Sequence, residues 1–81
     1  MNILEASALT VGDVVIPTVD FCMEEGTVAF TAGKEYPVMK TTEYEEIVTF
    51  YFVSDISTKS EIDRGVLHGM FPEDLENFRK K

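Results

Sequence analysis

Apolar positions along the chain recur mostly at every second residue, the period of strands whose side chains alternate between two faces. The clearest case is Ile47–Ser54, where Ile47, Thr49, Tyr51 and Val53 share one face and Val48, Phe50, Phe52 and Ser54 the other. Both faces are largely apolar, so this strand is expected to be central and covered on both sides, or to reserve one face for a partner. Val14–Val19 reads as an earlier strand after a turn at Leu9–Asp13. Its Pro17 marks an edge or a bulge, because proline cannot donate to a ladder. Asp20–Gly26 sets Phe21 and Met23 against Glu24, Glu25 and Gly26, and is expected to be a long excursion between strands. Thr27–Thr31 then forms a short strand with Val28 and Phe30 on one face, and Ala32-Gly33 turns the chain into another strand over Tyr36–Lys40.

The remaining segments are more polar. Glu43, Glu45 and Glu46 around Tyr44 read as a solvated hairpin tip. Asp55–Asp63, rich in Ser, Thr and charge, reads as a loop, and Arg64-Gly65 leads into a last strand, Val66–His68. Pro72–Phe78 is expected as a short terminal helix, with Pro72 at its first turn and Glu73 and Asp74 where the helix dipole favours anions. Leu75 and Phe78, spaced i and i+3, would pack onto a barrel mouth or sheet face.

Composition narrows the class. The chain of 81 residues has room for one domain, residues 1–81, with a small core. Its 44 % hydrophobic content marks it as globular despite a net charge of -8. The lone Cys22 excludes an internal disulfide framework and a cysteine-based zinc cluster. Met1–Thr10 lacks the basic start and apolar stretch of a secretory signal, and no apolar run approaches the ~20 residues that span a bilayer. The expectation is a cytoplasmic protein with no membrane partner.

Charge is uneven. Met1–Gly33 contains no Lys or Arg, against Glu5, Asp13, Asp20, Glu24 and Glu25, while Arg64, Arg79, Lys80 and Lys81 lie towards the end. Such a field repels phosphate backbones and anionic surfaces, because affinity for nucleic acid comes largely from Lys and Arg displacing counterions. Direct nucleic-acid binding is therefore disfavoured, and a protein partner with a basic surface is permitted.

No residue set points to catalysis, a metal or a cofactor. His68, the single histidine, stands at a strand end beside Gly69. Cys22 sits between Phe21 and Met23 with Glu24 and Glu25 following, an acidic setting without the nearby cation that activates a nucleophilic thiol. Asp55-x-Ser57-x-Lys59 places a lysine where a calcium loop needs oxygen, and Gly33-Lys34 lacks the glycine spacing and the following hydroxyl of a phosphate loop.

The run Leu9-Thr-Val-Gly-Asp-Val-Val15, the aromatic and Glu-rich loop after it, Phe30-Thr-Ala-Gly-Lys-Glu-Tyr-Pro-Val38 and Thr49-Phe-Tyr-Phe-Val-Ser-Asp55 together resemble small SH3-like β-barrel proteins, among them short proteins of bacteriophages and prophages. The resemblance covers roughly residues 9–55. It implies a mainly β fold, a small barrel of about five antiparallel strands followed by a short C-terminal helix, and an interaction role without catalytic residues. Pro37 inside the matched strand and the terminal helix depart from the pattern.

Six Phe and three Tyr exceed what a core of this size absorbs. Surplus rings rimmed by acids describe a surface that anchors a partner by apolar contact and selects it by charge. The candidate partner-binding residues are Phe21, Met23, Glu24, Glu25, Tyr44, Glu45, Phe71 and Phe78. Two roles follow: a small acidic interaction module, such as a phage-encoded inhibitor occluding a basic surface of a host protein, or a structural protein whose spare rings bury a homo-oligomer contact.

Overall fold

The Ile47–Ser54 alternation becomes a strand, β6 (Ile47–Phe52), which turns both of its phenylalanines to one side and Tyr51 to the other. Phe50 and Phe52 are fully buried, whereas Ile47, on the other face, is 57 % exposed. A computed structural model describes all residues, Met1–Lys81. In chain order the elements are helix α1 (Ile3–Ser7), strands β1 (Val14–Pro17), β2 (Phe21–Cys22), β3 (Val28–Phe30), β4 (Tyr36–Pro37), β5 (Lys40–Tyr44) and β6 (Ile47–Phe52), helix α2 (Lys59–Asp63), strand β7 (His68–Met70), a 3-10 turn at Pro72–Leu75, and strand β8 (Phe78–Lys80).

The eight strands form three small antiparallel sheets, in the orders β4-β1-β8, β2-β3 and β5-β6-β7, and no closed barrel is found. The mainly β expectation holds; the count of about five strands does not, because short segments pair separately. Tyr36–Lys40, expected as one strand, splits into β4 against β1 and β5 against β6.

Strand β1 is central rather than an edge. Val14 and Val15 pair with Pro37 and Tyr36 on one side, and Val15, Ile16 and Pro17 with Lys80, Arg79 and Phe78 on the other. Pro17 is accommodated as the last residue of the strand, where its carbonyl accepts from the Gly33 N–H at 2.9 Å. The expected helix through Phe78 is likewise corrected: it stops as a 3-10 turn at Leu75, and Phe78 opens β8. So short a helix is marginal by itself, and the ladder to β1, with the Thr18 N–H and hydroxyl both donating to the Asn77 carbonyl at 2.8 Å, supplies the stronger alternative.

Both true helices lie where none was expected. In α1 the Asn2 side chain accepts from the Glu5 N–H at 2.8 Å and the Glu5 carboxylate accepts from the Asn2 N–H at 3.2 Å. In α2, inside the expected Asp55–Asp63 loop, Thr58 and Glu61 form the same reciprocal pair at 3.1 and 2.9 Å. The last hairpin strand is displaced from Val66–His68 to His68–Met70. There Gly69 stands opposite Tyr51; a Cβ at Gly69 would lie 3.2 Å from both the Tyr51 ring and the Thr49 methyl, so the bare glycine lets those side chains lie flat across the sheet.

The core is one cluster in which Phe30 is the hub. Its ring meets Tyr36, His68, Phe78, Phe52 and Phe21 with centroids 4.8, 5.1, 5.7, 5.8 and 5.9 Å away, all edge to face. This arrangement aligns ring edges with ring faces and adds to the area buried. Ala6, Leu9, Val15, Val38, Phe50, Met70 and Leu75 complete the packing, so one cluster joins α1 and strands of all three sheets.

Candidate functional site

The polar cluster with the most internal bonds is structural. The Asp55 carboxylate accepts from the Thr31 hydroxyl at 2.5 Å, the Lys34 ammonium at 2.7 Å and the Tyr36 hydroxyl at 2.9 Å, and Tyr36 Oη in turn accepts from the Thr31 N–H at 2.7 Å. Burial would raise the Asp55 pKa, but these donors outweigh it and hold the carboxylate below its ordinary range. The same pair raises the Lys34 pKa, chiefly through its hydrogen bond to Asp55. These bonds pin the β3–β4 turn against the segment that follows β6, which accounts for the cluster as a structural one.

His68 is half-buried against Phe30. Burial lowers its pKa, partly countered by Asp74. No group of three or more His, Cys, Asp or Glu side chains is arranged to hold a metal ion, and Cys22 is exposed.

What the fold does leave open is a run of exposed apolar side chains on the flank made by α1, the 3-10 turn and the β5–β6 hairpin. Ile3 is 59 %, Leu4 83 % and Phe71 45 % exposed, beside Ile47. In α1, Ala6 enters the core while Ile3 and Leu4 face out. Phe71 precedes Pro72, and its N–H is held by the Asp74 carboxylate at 2.8 Å, which leaves its ring outside the turn. Ile3, Ile47, Val48 and Phe71 wall a hollow of about 370 Å³ together with Glu46 and Glu73.

A second hollow, of about 570 Å³, shares Ile3, Pro72 and Glu73 with the first and adds Met1, Leu4 and Glu76. A third, of about 200 Å³, shares Glu73 and Glu76 with the second and is lined by Asp20, Phe21, Asp74 and Phe78. The three adjoin around the Pro72–Leu75 turn, with Glu73 lining all of them, and together outline a groove. Because its walls include side chains as exposed as Leu4, it is a surface groove rather than an enclosed small-molecule cavity. No Lys or Arg lines any part of it, and none pairs with Glu46, Glu73 or Glu76: the ion pairs are Lys34–Asp55, Lys80–Asp13 and Lys81–Glu35.

The residues expected at a partner surface are therefore dispersed. Phe71 lies in the groove. Tyr44, 76 % exposed, stands opposite Ile47 at the hairpin tip with Glu45 beside it. Phe21 is half-buried and lines the acidic end. Glu24 and Glu25 are exposed on the turn between β2 and β3, and Met23 packs back on the core; none of these three lines the groove. Phe78 requires correction: at 2 % exposure it is a core ring stacked near Phe30 and Phe21, because β8 turns it inward. Ile3, Leu4, Ile47, Glu46, Glu73 and Glu76 were not anticipated as a surface; the capping pair Asn2/Glu5 was the available signal that Met1–Ser7 folds into an amphipathic element.

A scan against protein-family models, a search of curated proteins and a search of solved structures each found no match. No helix is long and apolar enough to cross a membrane.

Proposed function

We propose that the protein is a small acidic interaction module that acts by covering a basic surface of a partner protein, without chemistry of its own. The observation that supports this most directly is the conjunction of exposed Ile3, Leu4, Ile47 and Phe71 with the unpaired carboxylates of Glu46, Glu73 and Glu76. Isolated exposed apolar side chains are ordinary, whereas a contiguous apolar strip rimmed by one sign of charge is the composition of a recognition surface. An inhibitor of phage type inside a bacterial cytoplasm is the form this role takes if the SH3-like likeness of residues 9–55 reflects common origin, and that likeness rests on the sequence run alone.

Capture of partners from a bacterial lysate tests the reading. Retention that weakens at high salt and is lost when Glu46, Glu73 and Glu76 are reversed to Lys supports it; retention indifferent to both sinks it.

A second reading, self-assembly, is favoured by β5: five residues whose only strand partner is β6, so that one edge is open to another copy. Light scattering after size exclusion decides, since a strict monomer at high concentration leaves the edge unused.

A further inference from the structure

The groove is not uniform along its length. At one end Ile3, Ile47, Val48 and Phe71 present hydrocarbon and aromatic surface, with Glu46 and Glu73 at the margin. At the other, Glu73, which lines both hollows, joins Asp20, Asp74 and Glu76 around a narrower hollow floored by Phe21 and Phe78. Two of these four acids are already engaged, Asp20 by the Ala32 N–H and Asp74 by the Phe71 N–H, both at 2.8 Å. The Glu73 and Glu76 carboxylates accept no hydrogen bond and form no ion pair within this chain; the one cation nearby, the Met1 ammonium, donates to backbone carbonyls, that of Glu76 at 3.0 Å among them.

Resting on the interaction reading above, we propose that the groove takes a single extended or helical segment of a partner that is cationic and amphipathic, and takes it in one direction. Its apolar anchors fill the Ile3–Ile47–Phe71 end, and its Lys or Arg side chains reach Glu73 and Glu76. Charge complementarity identifies the occupant. A lipid surface of anionic headgroups would be repelled by the same carboxylates. A second copy docking patch to patch would gather two sets of Glu46, Glu73 and Glu76 into one interface with no Lys or Arg of the patch to offset them, and like charges brought together across an interface are costly. A purely basic peptide would leave the Ile47–Phe71 end in water. Only a segment with both characters, in that order, satisfies the two ends together.

The direction makes the proposal testable with synthetic probes. A peptide with a Leu-rich half followed by a Lys-rich half, a Leu–Glu counterpart and poly-lysine are titrated into labelled protein, followed by amide chemical shifts, with a nitroxide on either end of the Leu–Lys peptide. The expected result is saturable binding of the Leu–Lys peptide alone. A label on its apolar end should broaden amides near Ile47 and Phe71, and a label on its basic end those near Asp20 and Glu76. Phe71→Ser and Ile47→Ser, each checked for an unchanged melting profile, should weaken binding by about tenfold, the scale of one buried anchor.

Equal broadening by both labels, equal binding of poly-lysine, or concentration-dependent shifts of the same amides without peptide would overturn the inference. Shifts confined to the Glu24–Glu25 turn would overturn the groove while leaving an acidic interaction module standing. Failure of every cationic probe to bind anywhere would remove both.

Discussion

Tyr44 and Ile47 face each other as the last pair of the β5–β6 ladder, joined only by Glu45 and Glu46, and both glutamates hold positive φ, 50° and 69°. A two-residue turn of this hand matches the twist of a hairpin, but it is normally built from Asn and Gly. Here two adjacent glutamates occupy the left-handed region, at a cost of roughly 1–2 kcal/mol each. The tip therefore exchanges stability for charge beside an exposed Tyr and Ile.

Glu46→Gly should relieve that strain and stabilise the fold by about 1 kcal/mol, raising the melting temperature by about 4–8 °C for a domain of this size. Thermal unfolding of the variant measures it. An unchanged or lowered melting point would mean that Glu46 makes a compensating contact.

Phe78 and Phe71 should respond in opposite ways despite their proximity in sequence. Phe78→Ala removes a buried ring from the Phe30 hub and should cost about 3–5 kcal/mol, enough to unfold much of a marginally stable chain. Phe71→Ser, at a ring nearly half exposed, should stay within about 0.5 kcal/mol. Urea unfolding of the two variants distinguishes a core ring from a surface one.

Much of this contrast was legible beforehand, and its failure at Phe78 is instructive. The alternation in Ile47–Ser54, the hairpin tip at Tyr44–Glu46 and the surface position of Phe71 follow from local pattern. Phe78 followed a local pattern too, the i, i+3 spacing from Leu75, but its fate is set by pairing with Pro17, sixty-one positions away. Periodicity cannot see such a pairing. The expectation at β1 fails for the same reason: Pro17 suggests an edge or a bulge when its neighbours are unknown, and a strand terminus once β8 and Gly33 are in view. The groove was missed because its apolar half comes from α1, whose signal was the Asn2/Glu5 capping pair rather than hydrophobic periodicity.

Asp55→Asn should destabilise the fold by about 1–2 kcal/mol, since an amide cannot accept from Thr31, Lys34 and Tyr36 as the carboxylate does. The pH dependence has a definite sign. The native pKa of Asp55 lies below its ordinary value of 3.8, so its contribution is complete above about pH 5 and is lost as pH falls through the native pKa. Acid unfolding of the wild type should show this loss, and the Asn variant should lack that part of it.

His68 acts in a higher window. Its native pKa is lowered from 6.5 by burial, so the unfolded chain binds the proton first. Stability should fall as pH drops below about 6.5 and level off once the native imidazole is also protonated. Urea midpoints at pH 7.5 and 5.5 test this, and His68→Gln should flatten the difference. A wild-type midpoint that rises on acidification would contradict the burial of the ring against Phe30.

The most direct test of the central claim is the ionic-strength dependence of affinity for the Leu–Lys segment, in wild type and two variants. With an acid-rimmed apolar groove, affinity falls as salt rises. Glu73→Lys with Glu76→Lys should flatten that slope, and Phe71→Ser should lower affinity at every salt concentration with the slope unchanged. A slope untouched by reversing Glu73 and Glu76, or affinity untouched by losing the Phe71 ring, would contradict it.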